Sequence, residues 1–196
     1  MPVQQRRPVE RYDIDSLTDV ALAVFAEKGY DGASMDDVAR AAGITKASIY
    51  HHVPSKEALL HRGLWRALDA LHGILAEEQA KQGRAVDRLR YIFKRLPEIT
   101  MAMIPEASVL FRARGNSETE RAALDRRRQF DRIVAELVRE AISEGDVRSD
   151  IDPRIVTRLI FGMSNSLVDW FRPGHAMSSE QIADGLQRLA MNGILK

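Results

Sequence analysis

Four consecutive residues, Thr45, Lys46, Ala47 and Ser48, carry a chemistry suited to nucleic acid rather than to catalysis. They are small or polar and stand at the start of a predicted helix, a combination that lets a helix end approach base edges in a major groove. Ser34 opens an earlier helix and Lys56 lies at the start of a later one; at such ends free backbone N–H groups and the positive dipole end favour phosphate. Serine and threonine there are also N-caps, whatever else they do. Tyr50 and His51 follow on the same segment, and Tyr50 suits either the protein core or a phosphate backbone.

Other chemistries find little support. There is no cysteine, so disulfides, thiolate nucleophiles and cysteine-held zinc are excluded. His51 and His52 are adjacent, and neighbouring helix positions point in different directions, so the pair lacks the spacing of four that a metal ion favours. Neither a Gly-rich phosphate loop nor a serine-elbow motif occurs. The sequence predicts no enzyme, no metal site and no cofactor.

The elements that must position these residues follow from periodicity. Apolar residues recur at spacings of three and four almost throughout, and alternating strand patterns are missing, which predicts an all-α chain of about nine helices. The first covers 12–28, with Ile14, Leu17, Ala21, Val24 and Phe25 on one stripe and Gly29 as its C-terminal cap. Ser34 and Asp37 form a capping box for a short second helix ending at Gly43. A third runs from Thr45 to about His51, with Ile49 facing inward. Two short helices joined through Ala42-Gly43-Ile44-Thr45 fit a helix-turn-helix. A long helix then starts at Ser55, carries Leu60, Leu64, Leu68, Leu71 and Leu75, and fades at Gly83; further helices are predicted at 84–103, 105–114, 117–144, 153–171 and 178–195. The predicted domains are a DNA-binding module, 1–56, and an effector-binding and dimerisation module, 57–196.

The runs Phe25-Ala26-Glu27-Lys28-Gly29-Tyr30, Ser34-Met35-Asp36-Asp37-Val38-Ala39, Ala42-Gly43-Ile44 and Lys46-Ala47-Ser48-Ile49-Tyr50-His51-His52-Val53-Pro54-Ser55-Lys56-Glu57 resemble the TetR family of bacterial one-component regulators. The resemblance spans the first third of the chain, and only Val53 departs from it, where the family often has phenylalanine. It implies phosphate contacts from Ser34 and Thr45, base-edge contacts from Lys46, Ala47 and Ser48, and backbone packing by Tyr50 and His51. Lys56 would bind phosphate from the start of the fourth helix. The implied function is a ligand-responsive repressor that binds a palindromic operator in double-stranded DNA as a homodimer. A net charge of +1 gives no electrostatic footprint of its own, and residues 1–56 carry seven Lys or Arg against eight Asp or Glu. DNA binding therefore rests on local placement of charge.

In the body, Val156, Ile160, Met163 and Leu167 on one predicted helix and Leu186 and Leu189 on the last are candidate dimerisation residues, or else the core of one subunit. Met101, Met103 and Phe111 cluster near Pro97 and Pro105; with Arg112, Phe130, Asn165 and Trp170 they are candidates for a small hydrophobic effector, though methionine fills plain core equally well. Residues 165–174 are similar to the same region of TetR-like regulators of fatty-acid and steroid-ring breakdown, which implies an acyl-CoA effector whose phosphates would meet Arg112, Arg114 or Arg172. Asp169 departs from the arginine some of them carry. The run Arg126-Arg127-Arg128 is read as a solvated helix face rather than a phosphate clamp. The polar start of the chain, with Arg6, Arg7 and Arg11, shows neither a signal peptide nor a membrane span, so a cytoplasmic location is expected. The alternative keeps the DNA-binding module but makes the body a protein-interaction element without a small ligand.

Overall fold

The computed structural model describes residues 12–174 and 177–196, so the arginine-bearing start of the chain lies outside the described residues. Among these residues eleven helices form and no strand, only an isolated antiparallel bridge between Val147 and Leu195. The head consists of α1 (Ile14–Lys28), α2 (Met35–Ala42) and α3 (Lys46–Tyr50). The long α4 (Lys56–Ala76) leads into the body, made of α5 (Glu78–Lys81), α6 (Ala85–Ala102), α7 (Ile104–Arg112), α8 (Glu118–Ser143), α9 (Pro153–Asn165), α10 (Leu167–Trp170) and α11 (Ser179–Ile194). No helix among the described residues is long and apolar enough to cross a membrane.

Two of the predicted helices are broken, each for a local reason. The fourth ends at Ala76 because Glu77 turns to an extended conformation. Its carboxylate there accepts hydrogen bonds from the Tyr91 hydroxyl and from Arg95, whose Nε lies 3.2 Å away. The helix predicted over 153–171 divides at Ser166, whose hydroxyl donates to the Met163 carbonyl at 2.8 Å and accepts from Trp170 Nε1 at 3.2 Å. A serine hydroxyl bonding back to the preceding turn competes with the helix ladder.

One apolar core runs from head to body. Leu17, Leu22, Phe25, Val38, Ile49 and Val53 are buried in the head, Leu60, Leu64, Leu68 and Leu71 along α4, and Phe93, Phe130 and Val134 in the body. Each large apolar side chain so buried contributes roughly 1.5–3 kcal/mol. α1 and α4 approach closely at Gly63, where a Cβ would meet Leu22 Cδ2 at 2.2 Å, so any side chain there has to displace Leu22. In the body α6 lies centrally, against α11, α8, α9 and α4, while α8 also packs on α9 and α4.

Candidate nucleic-acid interface

The helix-turn-helix is built by reciprocal caps. Ser34 caps α2 by accepting from the Asp37 N–H at 3.2 Å, while the Asp37 carboxylate accepts from the Ser34 N–H at 2.9 Å. Lys28 from α1 reaches the same carboxylate at 2.5 Å, which pins α2 against the end of α1. The Lys28 bond and the Ser34 bonds hold the Asp37 carboxyl well below the usual carboxylate range. Gly43 ends α2 in the left-handed region, φ 67°, where a side chain is strained. The Ile44 N–H bonds back to the Ala39 carbonyl at 3.1 Å, closing the turn.

The next residue, Thr45, caps α3 by accepting from the Ser48 N–H at 3.1 Å, and the two hydroxyls share a 2.8 Å hydrogen bond. Ile49 is fully buried and Val53 nearly so, anchoring α3 from behind. Thr45, Lys46, Ala47, Tyr50 and His51 are exposed on its outer side, with Ser48 half-buried and Ser34 exposed at the start of α2. Tyr50 is 48% exposed, which disposes of the core alternative for its ring. Lys46 is tied to Asp36 of α2 at 2.9 Å, so its ammonium is raised from its ordinary value by that bond.

Lys56 stands half-buried at the start of α4. Its ammonium donates to the carbonyls of Tyr30 and Ala33, both at 2.8 Å, and lies 4.2 Å from the centre of the Tyr30 ring. In this structure Lys56 stitches the α1–α2 loop to α4.

Head and body are joined by polar bonds around the apolar seam. Arg62 and Arg66 of α4 both bond Asp15 at 2.7 Å, and Arg66 also reaches Asp19 at 2.6 Å. Arg112, at the end of α7, donates to the Ala26 carbonyl of α1 at 2.6 Å. Asn116 bonds Asp31 at 3.0 Å and Thr119 bonds Glu57 at 2.8 Å. The buried Glu120 carboxylate fixes the α7–α8 loop by accepting from the N–H groups of Arg114, Gly115 and Asn116 at 3.2, 2.8 and 2.8 Å.

The seven effector candidates are not brought together. Met103 and Phe111 border a small void of about 10 Å³ between α4, α6 and α7, shared with Leu71, Ala107 and Leu110. Met101 is buried elsewhere, with Leu167 and Phe171. Phe130 packs on Phe161 and His72 inside the core. Asn165 lines a cleft between α8 and α9, Trp170 is half exposed, and Arg112 faces the head. Nor do the six dimerisation candidates share a face: Val156, Ile160, Leu167 and Leu186 are buried within the subunit, because they lie on the inward sides of their helices. Met163 and Leu189 are exposed, together with Ile155 and Leu159. The arginine run also divides. Arg126 pairs with Asp69 at 2.6 Å and Arg128 with Asp125 at 2.5 Å, but Arg127 turns inward and lies 4.7 Å over the Phe111 ring, which corrects its reading as part of a solvated face.

Comparison with known proteins agrees with this geometry. Residues 17–62 match the model of the bacterial regulatory proteins of the tetR family, and residues 82–194 match that of the tetracyclin repressor-like C-terminal domain. The HTH-type transcriptional repressor KstR2 of Mycobacterium tuberculosis is 28% identical over 188 residues, covering 92% of each chain. The solved structure of that protein, described as a ketosteroid transcriptional regulator, superposes with a TM-score of 0.81 at 25% identity, over 93% of this chain and 95% of that one. A TetR-family member from Streptomyces coelicolor A3 is 51% identical, with a TM-score of 0.86 over 92% of this chain and 91% of the other. A match of this extent, on a head whose α2–α3 pair leaves Thr45, Lys46 and Ala47 exposed, identifies the chain as a DNA-binding transcriptional regulator of the TetR family.

Proposed function

We propose that the protein is a repressor that binds a palindromic operator as a homodimer and leaves it when a small hydrophobic effector enters the body. The observation carrying the DNA-binding part is the exposed tip Thr45–Ala47 with Tyr50, held rigid by buried Ile49 and Val53. Two such heads on one dimer read successive major grooves about 34–36 Å apart. Support for the dimer comes from the apolar side chains left uncovered on α9 and α11, Ile155, Leu159, Met163 and Leu189.

Support for an effector inside the body comes from the void beside Phe111, Met103 and Leu71. At about 10 Å³ it is far below the roughly 300–1,000 Å³ of a ligand pocket, so an effector has to part α4, α6 and α7 to enter. Opening there displaces α7, whose Arg112 grips α1, and so turns the head. A coupling of about 1–3 kcal/mol weakens DNA binding roughly 5- to 150-fold. The likeness of residues 165–174 to regulators of fatty-acid and steroid-ring breakdown, and the full-length likeness to KstR2, favour an acyl-CoA as the effector class.

Selection of bound duplexes from a random pool tests the reading. The protein enriches a two-fold symmetric site, and Lys46→Ala and Tyr50→Ala each weaken binding to it about 5- to 150-fold, the range for a lost base or phosphate contact. Arg148→Ala, on a side chain paired with Asp150 at the far end of the body, leaves it unchanged. Equal losses in all three variants overturn the assignment.

A further inference from the structure

A cleft of about 670 Å³ lies between α8 and α9 and shares no lining residue with the void beside Phe111. Its walls carry six arginines, Arg127, Arg128, Arg132 and Arg139 from α8 and Arg154 and Arg158 from α9, against two acids, Asp131 and Glu136. Elsewhere the arginines of the fold are largely answered: Arg62, Arg66, Arg84, Arg88 and Arg95 all have a carboxylate within 4 Å. In the cleft, Arg128 pairs with Asp125 and Arg139 with Glu136, but Arg127, Arg132, Arg154 and Arg158 have no ion pair among the described residues.

The cleft therefore carries cationic charge in excess. Burial lowers the Arg127 guanidinium from its ordinary value and raises the Asp131 carboxyl, although Arg127 and Arg158 draw the latter down. Like charges gathered in a cleft repel one another and focus a positive potential, which a bound anion relieves. Arginine presents a planar fork of N–H donors that matches phosphate oxygens two at a time.

Shape narrows the class of anion. From Leu124 to Arg139 the α8 wall extends about 22 Å, at about 1.5 Å of rise per residue. The unpaired arginines recur along the walls at about 6–8 Å on the same rise, Arg127 to Arg132 on α8 and Arg154 to Arg158 on α9. Leu124, Ala135 and Phe161 also line the cleft and give it apolar surface able to carry a flat organic ring. We propose that this cleft is a binding site for a small molecule bearing two or more phosphate groups joined to an organic ring, of the nucleoside-diphosphate class.

The geometry also connects the site to the rest of the fold. Arg127 lines the cleft and at the same time covers the Phe111 ring, and the next residue, Arg112, holds the Ala26 carbonyl of the head. A phosphate drawing Arg127 outward uncovers Phe111 and so bears on α7.

Titration calorimetry on the full chain with ADP, inorganic pyrophosphate and adenosine tests the site. The expected result is one ADP per chain, weaker binding of pyrophosphate, none of adenosine, and affinity that falls as salt rises. Arg132→Ala and Arg158→Ala each reduce ADP affinity about tenfold or more, the size of a lost charge-assisted bond, while Arg148→Ala does not. Both side chains are exposed, so these variants keep the test open if Arg127→Ala fails to fold. Absence of ADP binding at millimolar concentration, or binding insensitive to both substitutions, overturns the proposal. Competition between ADP and non-specific duplex, with both variants losing duplex affinity, shows a nucleic-acid contact instead and overturns it too. ADP carries no apolar chain, so its failure to bind leaves the effector reading of the Phe111 void untouched.

Discussion

Replacing Gly63 by alanine places a methyl carbon 2.2 Å from Leu22 Cδ2 and 3.0 Å from its Cγ. Unbonded carbons rest about 3.5–4.0 Å apart, so an overlap of more than about 1 Å has to be relieved. Leu22 is fully buried and has no solvent to turn into, so either α1 moves off α4 or Leu22 adopts another rotamer in a packed core. Overpacking of this kind costs about 1–3 kcal/mol. Alanine in the interior of α4 returns about 0.5–1 kcal/mol over glycine, which leaves a net loss of up to about 2.5 kcal/mol. For a chain of this length each kcal/mol moves Tm by about 2–4 °C, so a fall of up to roughly 10 °C is expected by calorimetry at fixed protein concentration. Because α1 carries the reading head, operator affinity falls as well. On a Leu22→Ala background the same alanine is neutral or stabilising, since the obstructing side chain is gone. A Gly63→Ala protein that melts higher than wild type and binds operator unchanged would refute the claim that space at this crossing positions the head.

Asp36→Ala frees Lys46 from its 2.9 Å tether and removes a carboxylate beside the groove-facing tip, so operator affinity rises by about two- to fivefold, the worth of an exposed ion pair, in a binding titration. Lys28 and Ser34 hold the Asp37 carboxyl below its ordinary value of 3.8, so its stabilisation is complete above that pH and is lost as pH falls toward the folded value. Urea melts should therefore lose stability below about pH 4, and Asp37→Asn should flatten part of that loss. Leu159→Asp combined with Leu189→Asp, at positions 63% and 70% exposed, leaves helical content unchanged but halves the mass seen by light scattering. A dimer that persists in that variant rules out the α9–α11 face.

What could be read from the sequence was what depends on near neighbours along the chain. The starts of α2, α3, α4, α8 and α11 are set by Ser34, Thr45, Ser55, Ser117 and Ser178, each accepting from an N–H three residues on, so serine or threonine at that spacing announces them. The helix-turn-helix was legible for the same reason, since Gly43, Thr45 and Ile49 act within one short stretch. The break at Glu77 was not, because its cause lies at Tyr91 and Arg95, fourteen and eighteen residues away. Lys56 likewise finds its carbonyls at Tyr30 and Ala33, a pairing that only the fold supplies.

On α9 the apolar period is ambiguous in itself. Val156 and Ile160 make an inward stripe and Ile155, Leu159 and Met163 an outward one, and spacings of three and four permit a choice that mixes the two. The arginine cleft went unseen because its walls come from helices separated in sequence by the turn after Ser143. Arg127 read as one of three solvated charges until Phe111 was brought beneath it.

The tie from Arg112 to α1 ends on a backbone carbonyl, that of Ala26, rather than on a side chain. Every residue type supplies that oxygen, so exchange of the amino acid at position 26 leaves the tie intact provided the helix persists. Ancestral drift in the helix-turn-helix can therefore alter which operator is chosen while the proposed signal from the body still has its point of attachment. Chimeras that graft a foreign module onto this body should keep the proposed ligand response if they retain Leu22 opposite Gly63.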